Sequence, residues 1–165
     1  MQRRRSAPSR NRATVNRLLI ALPEEDYVRL LPHMTVVPLR VRQVLHHRES
    51  PIRHVYFPND GMCSFTTVMR NGSMVEVATV GREGMVGLGA FLGGNRALSE
   101  TFVQSARPTS TPVRLPVNVF SRELARQGAL DEIVGRYSQA FVSSLMHASR
   151  ATRCIPSTSA VLAGC

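Results

Sequence analysis

Residues 71–91 read "NGSMVEVATVGREGMVGLGAF", and the first half of that stretch decides the fold. Asn71-Gly72 is the strongest hairpin signal in the chain, because a type I′ turn needs positive φ at both central positions. "SMVEVATV" then alternates in the two-residue period of a strand. After Val80 the pattern dissolves into Gly81, Gly84, Gly87 and Gly89, with Gly93 and Gly94 close behind. Glycine at that density allows tight turns around a short apolar helix, or a backbone that comes close to a bound group.

The strand period extends outward from this stretch. "TVVPLRV", "QVLHH", "HVYFP" and "MCSFTTVMR" precede it, and "ETFVQSA" and "TPVRLPV" follow, divided by Pro, Asn-Asp-Gly or Asn-Gly. About eight short strands of this kind read as an antiparallel barrel or sandwich. Upstream, Asn16 can cap a short helix "RLLIAL", and Pro23 followed by Glu24, Glu25 and Asp26 suits the opening of a second. Leu22, Tyr27, Leu30 and Leu31 share its apolar face before Pro32.

Downstream the period becomes helical. "VFSRELARQG" stops at Gly128, a residue suited to the left-handed conformation after a helix. From Ala129 to about Cys154 no proline intervenes. Leu130, Val134, Tyr137, Phe141, Leu145 and Ala148 recur at steps of four, three, four, four and three, close to a coiled-coil seam. Asp131 and Glu132 in the first turn favour the positive end of the helix dipole. Such a helix either folds back as an amphipathic cover or pairs with its copy.

Hydrophobic residues are 43% of the 165 and charged residues 19%, the balance of one folded domain with a real core. No run approaches the roughly 20 apolar residues that span a bilayer. The formal net charge is +10, and every basic residue is arginine. Six arginines and no acid lie in residues 1–17, whereas residues 18–132 hold twelve against eleven acids. The middle of the chain is nearly neutral, and the tail could seek phosphates or simply be solvated. Cys63, Cys154 and Cys165 form no CxxC pair, so neither zinc nor iron–sulfur ligation is signalled, and a reducing cytoplasm is expected.

"PIRHVYFPNDGMCSFTTVMRNGSMVEVATVGREGMVGLGAFLGG", with "VRLPVNVFSRELARQGALDEIVGRYSQAFV" after it, closely resembles the sensor half of Crp/Fnr-type bacterial transcription regulators. The resemblance covers roughly residues 16–150 and rests on the order of many features. It implies a mainly β fold with α: a cyclic-nucleotide-binding-like double-stranded β-helix, or jelly roll, flanked by short N-terminal helices and a long C-terminal dimerisation helix. The implied organisation is an Arg-rich tail over 1–15, the sensor domain over 16–128 and the dimerisation helix over 129–154. Residues 155–165 form an irregular end, where the family's DNA-reading helix-turn-helix is expected to be absent. The dimer interface implied is Leu130, Val134, Tyr137, Phe141, Leu145 and Ala148.

In the nucleotide-binding members that this chain resembles, the glycine stretch is a phosphate cassette. A Gly-Glu-Leu segment offers backbone N–H groups and a ribose-binding glutamate, and an Arg-Ser-Ala segment neutralises the phosphate. Matching "GLGAF" to that segment puts Gly87 where the glutamate would sit, with Leu88 and Gly89 after it. Ser99 and Glu100 fall where arginine and serine should be, and Arg96 is near but out of register. Gly87, Leu88, Gly89, Arg96 and Ser99 therefore make a degenerate cassette, unsuited to cAMP in the usual way.

No catalytic residue is signalled: there is no Gly-x-Ser-x-Gly elbow and no Walker loop. His33, His46, His47, His54 and His147 make no i, i+4 pair, and His46 and His47 face opposite ways on a strand. Neither a metal nor a cofactor is expected. The expected function is effector sensing and dimerisation, as a homodimer or with a full-length relative, with an unidentified small effector and DNA reached only through the family's helix-turn-helix. The alternative is a stand-alone small-ligand or protein-interaction module with weak nonspecific nucleic-acid affinity through its arginine tail.

Overall fold

The computed structural model describes residues 16–69, 72, 74–106 and 112–152. The Arg-rich tail, Asn71 of the hairpin, Cys154, Cys165 and the end of the chain from 153 onward lie outside the described residues, as does the side chain of Ala148. Two short helices, α1 (Arg17–Ile20) and α2 (Glu24–Leu30), lead in, and a 3₁₀ turn over Leu31–His33 absorbs Pro32. Asn16 caps α1 as the sequence predicts, its side-chain oxygen accepting from the Leu18 and Leu19 N–H groups at 3.1 and 3.4 Å.

Seven strands follow among the described residues, one from each predicted run. They are β1 (Thr35–Val36), β2 (Val44–His46), β3 (His54–Phe57), β4 (Met62–Val68), β5 (Met74–Val80), β6 (Glu100–Ser105) and β7 (Val113–Pro116). All pairings are antiparallel, in two sheets ordered β1-β7-β3 and β2-β6-β4-β5. This is a jelly roll of two facing sheets, and not a closed barrel. The β4–β5 ladder runs to Val68↔Met74, beyond which Gly72 sits at φ +82° and donates to the Met69 carbonyl at 2.9 Å.

The main core lies between the three-stranded sheet and the helices. Leu19, Leu22, Tyr27 and Leu30 pack there with Val55, Phe57 and Leu115, and with Phe120, Leu130 and Val134 from the helical end. Each such side chain contributes about 1.5–3 kcal/mol by leaving water. A smaller cluster, Cys63, Val86 and Val103, fills the four-stranded sheet. Tyr56 and Val86 exchange backbone hydrogen bonds at 3.0 and 2.8 Å, which pins the glycine stretch to β3.

At the C-terminal side α3 (Val117–Leu124) precedes α4 (Ala129–Thr152). The turn between them departs from the sequence expectation. Gln127, at φ +52°, takes the left-handed position, while Gly128 has no positive φ. Gly128 instead offers its carbonyl to the Glu132 N–H at 3.2 Å, the first helical bond of α4. The chain reverses one residue earlier than the glycine because α4 begins its hydrogen-bond ladder at once.

Candidate effector cavity

The glycines after β5 admit two close approaches. A Cβ on Gly84 would sit 2.3 Å from the Tyr137 hydroxyl oxygen, so Gly84 leaves room for a ring descending from α4. Gly87, at φ +99°, would place a Cβ 3.0 Å from Val55 and 3.2 Å from the His46 ring. A side chain there would be both strained and crowded. Leu88–Ala90 then form one 3₁₀ turn, and Gly94 closes the loop by donating to the Gly89 carbonyl at 2.9 Å.

Beside this turn is a cavity of about 250 Å³. Gly87, Leu88 and Gly89 form one wall and Ala97, Leu98, Ser99 and Thr101 another. Phe65, Val77 and Ala78 from β4 and β5 line it, and His46 and Ile52 close the inner end. The remaining wall is α4, through Phe141, Val142 and Leu145. Phe141 tilts against Phe65 with ring centres 5.6 Å apart and against Tyr137 at 5.9 Å.

Four of the five expected cassette residues thus meet in one place: Gly87, Leu88, Gly89 and Ser99. Arg96 does not join them. Its guanidinium donates to the Glu49 carbonyl at 2.6 Å, on the exposed side of the loop. Glu100 also turns away, its carboxylate 3.4 Å from the exposed His47 ring. No lysine, arginine, aspartate or glutamate is among the lining residues described.

His46 is the one titratable residue among the described lining residues. It is 7% exposed, and its Nε2 lies 2.9 Å from the His54 carbonyl oxygen, so Nε2 carries the proton and donates. Burial pushes its pKa below the ordinary imidazole value, the His54 carbonyl partly opposes that shift, and the His54 ring adds to it. The imidazole is therefore neutral at physiological pH.

Sequence reasoning did not single out His46, Thr101, Phe65 or Ile52 as site residues. One signal existed: Thr101 and Val103 alternate with Phe102 and Gln104, and both are buried on the inner face of β6. For His46 the alternation fails, because the β2–β6 register shifts between Val44 and His46.

The expected helical seam divides between two surroundings. Leu130 and Val134, at 2% and 0% exposure, are buried in the chain's own core. Tyr137 and Phe141 pack partly against that core, and Leu145 lines the cavity. A second cavity of about 440 Å³ lies between α4 and β5, lined by Thr79, Val80, Glu83, Tyr137 and Ser144. Val77, Ala78, Phe141 and Leu145 border both spaces. The outward face of α4 carries exposed Met146 beside Gln139 and Ser143, and the partly exposed Val142 stands at its border with the first cavity. Among the described residues, no helix is long and apolar enough to cross a membrane.

No protein-family model and no curated protein sequence matches the chain. Solved structures do. The chain is similar to the N-terminal domain of a transcriptional regulator from Streptomyces coelicolor A3(2), at 16% identity and a TM-score of 0.56, over 88% of this chain and 98% of that one. It is similar to the catabolite activator protein of Thermus thermophilus at 10% identity and a TM-score of 0.60, over 82% of this chain and 62% of that one. It also resembles the regulatory subunit of a cAMP-independent protein kinase A from Trypanosoma brucei at 16% identity and a TM-score of 0.62, over 81% of this chain and 48% of that one. The fold is thus that of cyclic-nucleotide-binding and transcription-regulator domains, and the chain spans about half to two thirds of the two longer proteins.

Proposed function

We propose that the chain is the effector-sensing and dimerisation part of a Crp/Fnr-type transcription regulator, one that does not use cAMP in the usual way. The observation that carries this reading is the shared wall of the cavity. The glycine turn forms one side and α4 the other, so any occupant touches the helix whose far end would lead toward a DNA-reading module. An effector acts by its differential affinity for two arrangements of that helix. Phe141 and Leu145 border two cavities, so a second arrangement of α4 would reshape both.

Pairing completes the mechanism. Leu130 and Val134 hold α4 to its own domain, and the exposed Val142 and Met146 further along would face a second copy. Two helices related by a two-fold axis would bury this stripe reciprocally. Light scattering coupled to size exclusion tests it directly. The wild-type chain should elute as a dimer, and the variant Met146→Asp, which leaves the cavity wall untouched, as a monomer with an unchanged far-UV spectrum. A wild-type monomer at high micromolar concentration would rule out pairing through this helix.

A further inference from the structure

We infer that the cavity takes a small, uncharged, mostly apolar molecule with a single hydrogen-bonding group, of the chemical class of a substituted phenol. This rests on the sensor reading above and names the kind of effector that the sensor would take. The walls are Phe65, Phe141, Ile52, Leu88 and Leu145, and the polar side chains among them belong to His46, Ser99 and Thr101. That is the composition of a site that binds by apolar burial and orients by a few hydroxyl-type contacts.

Charge argues against an anion. A phosphate or carboxylate entering this space would lose its hydration with no cation among the described wall residues to replace it. Arg96 is committed to the Glu49 carbonyl outside, and neutral His46 has placed its Nε2 proton on the His54 carbonyl. A cation is no better served, because Glu100 and Glu49 are not lining residues.

Volume argues for a small ring. An apolar cavity of roughly 150 Å³ accommodates benzene, so about 250 Å³ holds about ten non-hydrogen atoms, roughly half of a cyclic nucleotide. Thr101 is the residue assigned to the hydrogen bond. It is 2% exposed and sits on β6, an inner strand, where its position is fixed. Its hydroxyl can donate or accept, which suits the phenol's single polar group.

The probes are 4-ethylphenol, its isostere 4-ethyltoluene, and cAMP, titrated calorimetrically into the full chain and two variants. Thr101→Val keeps the shape and removes the hydroxyl. Ala78→Leu fills the cavity from a half-buried position on the edge strand β5, and circular dichroism checks that it folds. The expected result is that 4-ethylphenol binds the wild type, roughly tenfold more weakly in Thr101→Val, and not at all in Ala78→Leu, while 4-ethyltoluene is indifferent to the loss of the hydroxyl. Equal binding of 4-ethylphenol to all three proteins would place it elsewhere and overturn the assignment. Binding of cAMP without 4-ethylphenol would overturn the effector class, and with it the exclusion of cAMP, while effector sensing itself would stand. If none of the three probes binds, the effector class is likewise overturned, and the dimer measurement decides the sensor reading separately.

Discussion

Asn16 is buried where α1, the β3–β4 turn and the glycine stretch meet, and its side chain serves all three. The oxygen caps α1, and the amide nitrogen donates to the Pro58 and Gly84 carbonyls, both at 2.8 Å. Asn16→Ala should cost about 3 kcal/mol, one part for the cap and the rest for two stranded carbonyls. In thermal melting this is a midpoint roughly 10 °C lower. Asn16→Ser restores the cap alone and should recover only part of the loss. The cap is legible in the sequence because it is local. The two carbonyls are 42 and 68 residues away, and no local pattern announces them.

Gly84 and His46 make their own predictions at this scale. Gly84→Ala should destabilise by about 2 kcal/mol, since the new methyl meets the Tyr137 ring. Most of that cost should vanish in a Tyr137→Ala background, which a double-mutant cycle would show. His46 has its folded pKa lowered by burial, so the unfolded chain takes up the proton first. Its share of stability is complete above the ordinary imidazole value of about 6.5 and falls away as the pH drops toward the folded value. His46→Gln should flatten that part of the melting-temperature profile. The shifted His54, lowered chiefly by burial and also by Arg114 and Arg53, should keep a smaller slope.

Among the elements, the strands are the most legible. Each of seven alternating runs became one strand, because a half-buried antiparallel sheet imposes the same period on every segment. The pairing order is not local information, and neither are the register shifts near Phe65 and Val44. The α3–α4 turn shows the limit of reading glycine by type. Because Gln127 holds the left-handed angle, Gln127→Gly should stabilise by about 0.5–1 kcal/mol. Gly128→Ala should be nearly neutral, as nothing lies within 4 Å of the added carbon. Chemical denaturation of both variants distinguishes this assignment from the one that sequence favours.

For the molecule as a whole, the glycine turn was legible as a candidate site because its residues are neighbours in the chain. The cavity was not, since its walls come from β2, β4, β5, β6 and α4, brought together only by the tertiary fold. Phe141 looks in the sequence like one member of a regular stripe, yet in the structure it stands between two open cavities. Its neighbours Leu130 and Val134, identical in pattern, are sealed in the core. Periodicity specifies which face of a helix is apolar and says nothing of what fills the space opposite.

The partition formed by Phe141 and Leu145, with an open chamber on each side, leaves this part of α4 thinly packed and soft. Local opening is cheap where few side chains pack, so amide exchange over residues 141–147 should be faster than at Leu130 and Val134, whose side chains lie in the Leu19–Phe57–Phe120 core. A molecule lodged on one side of the partition would remove that softness, and the stiffness of a single helix would then report whether the chamber is full.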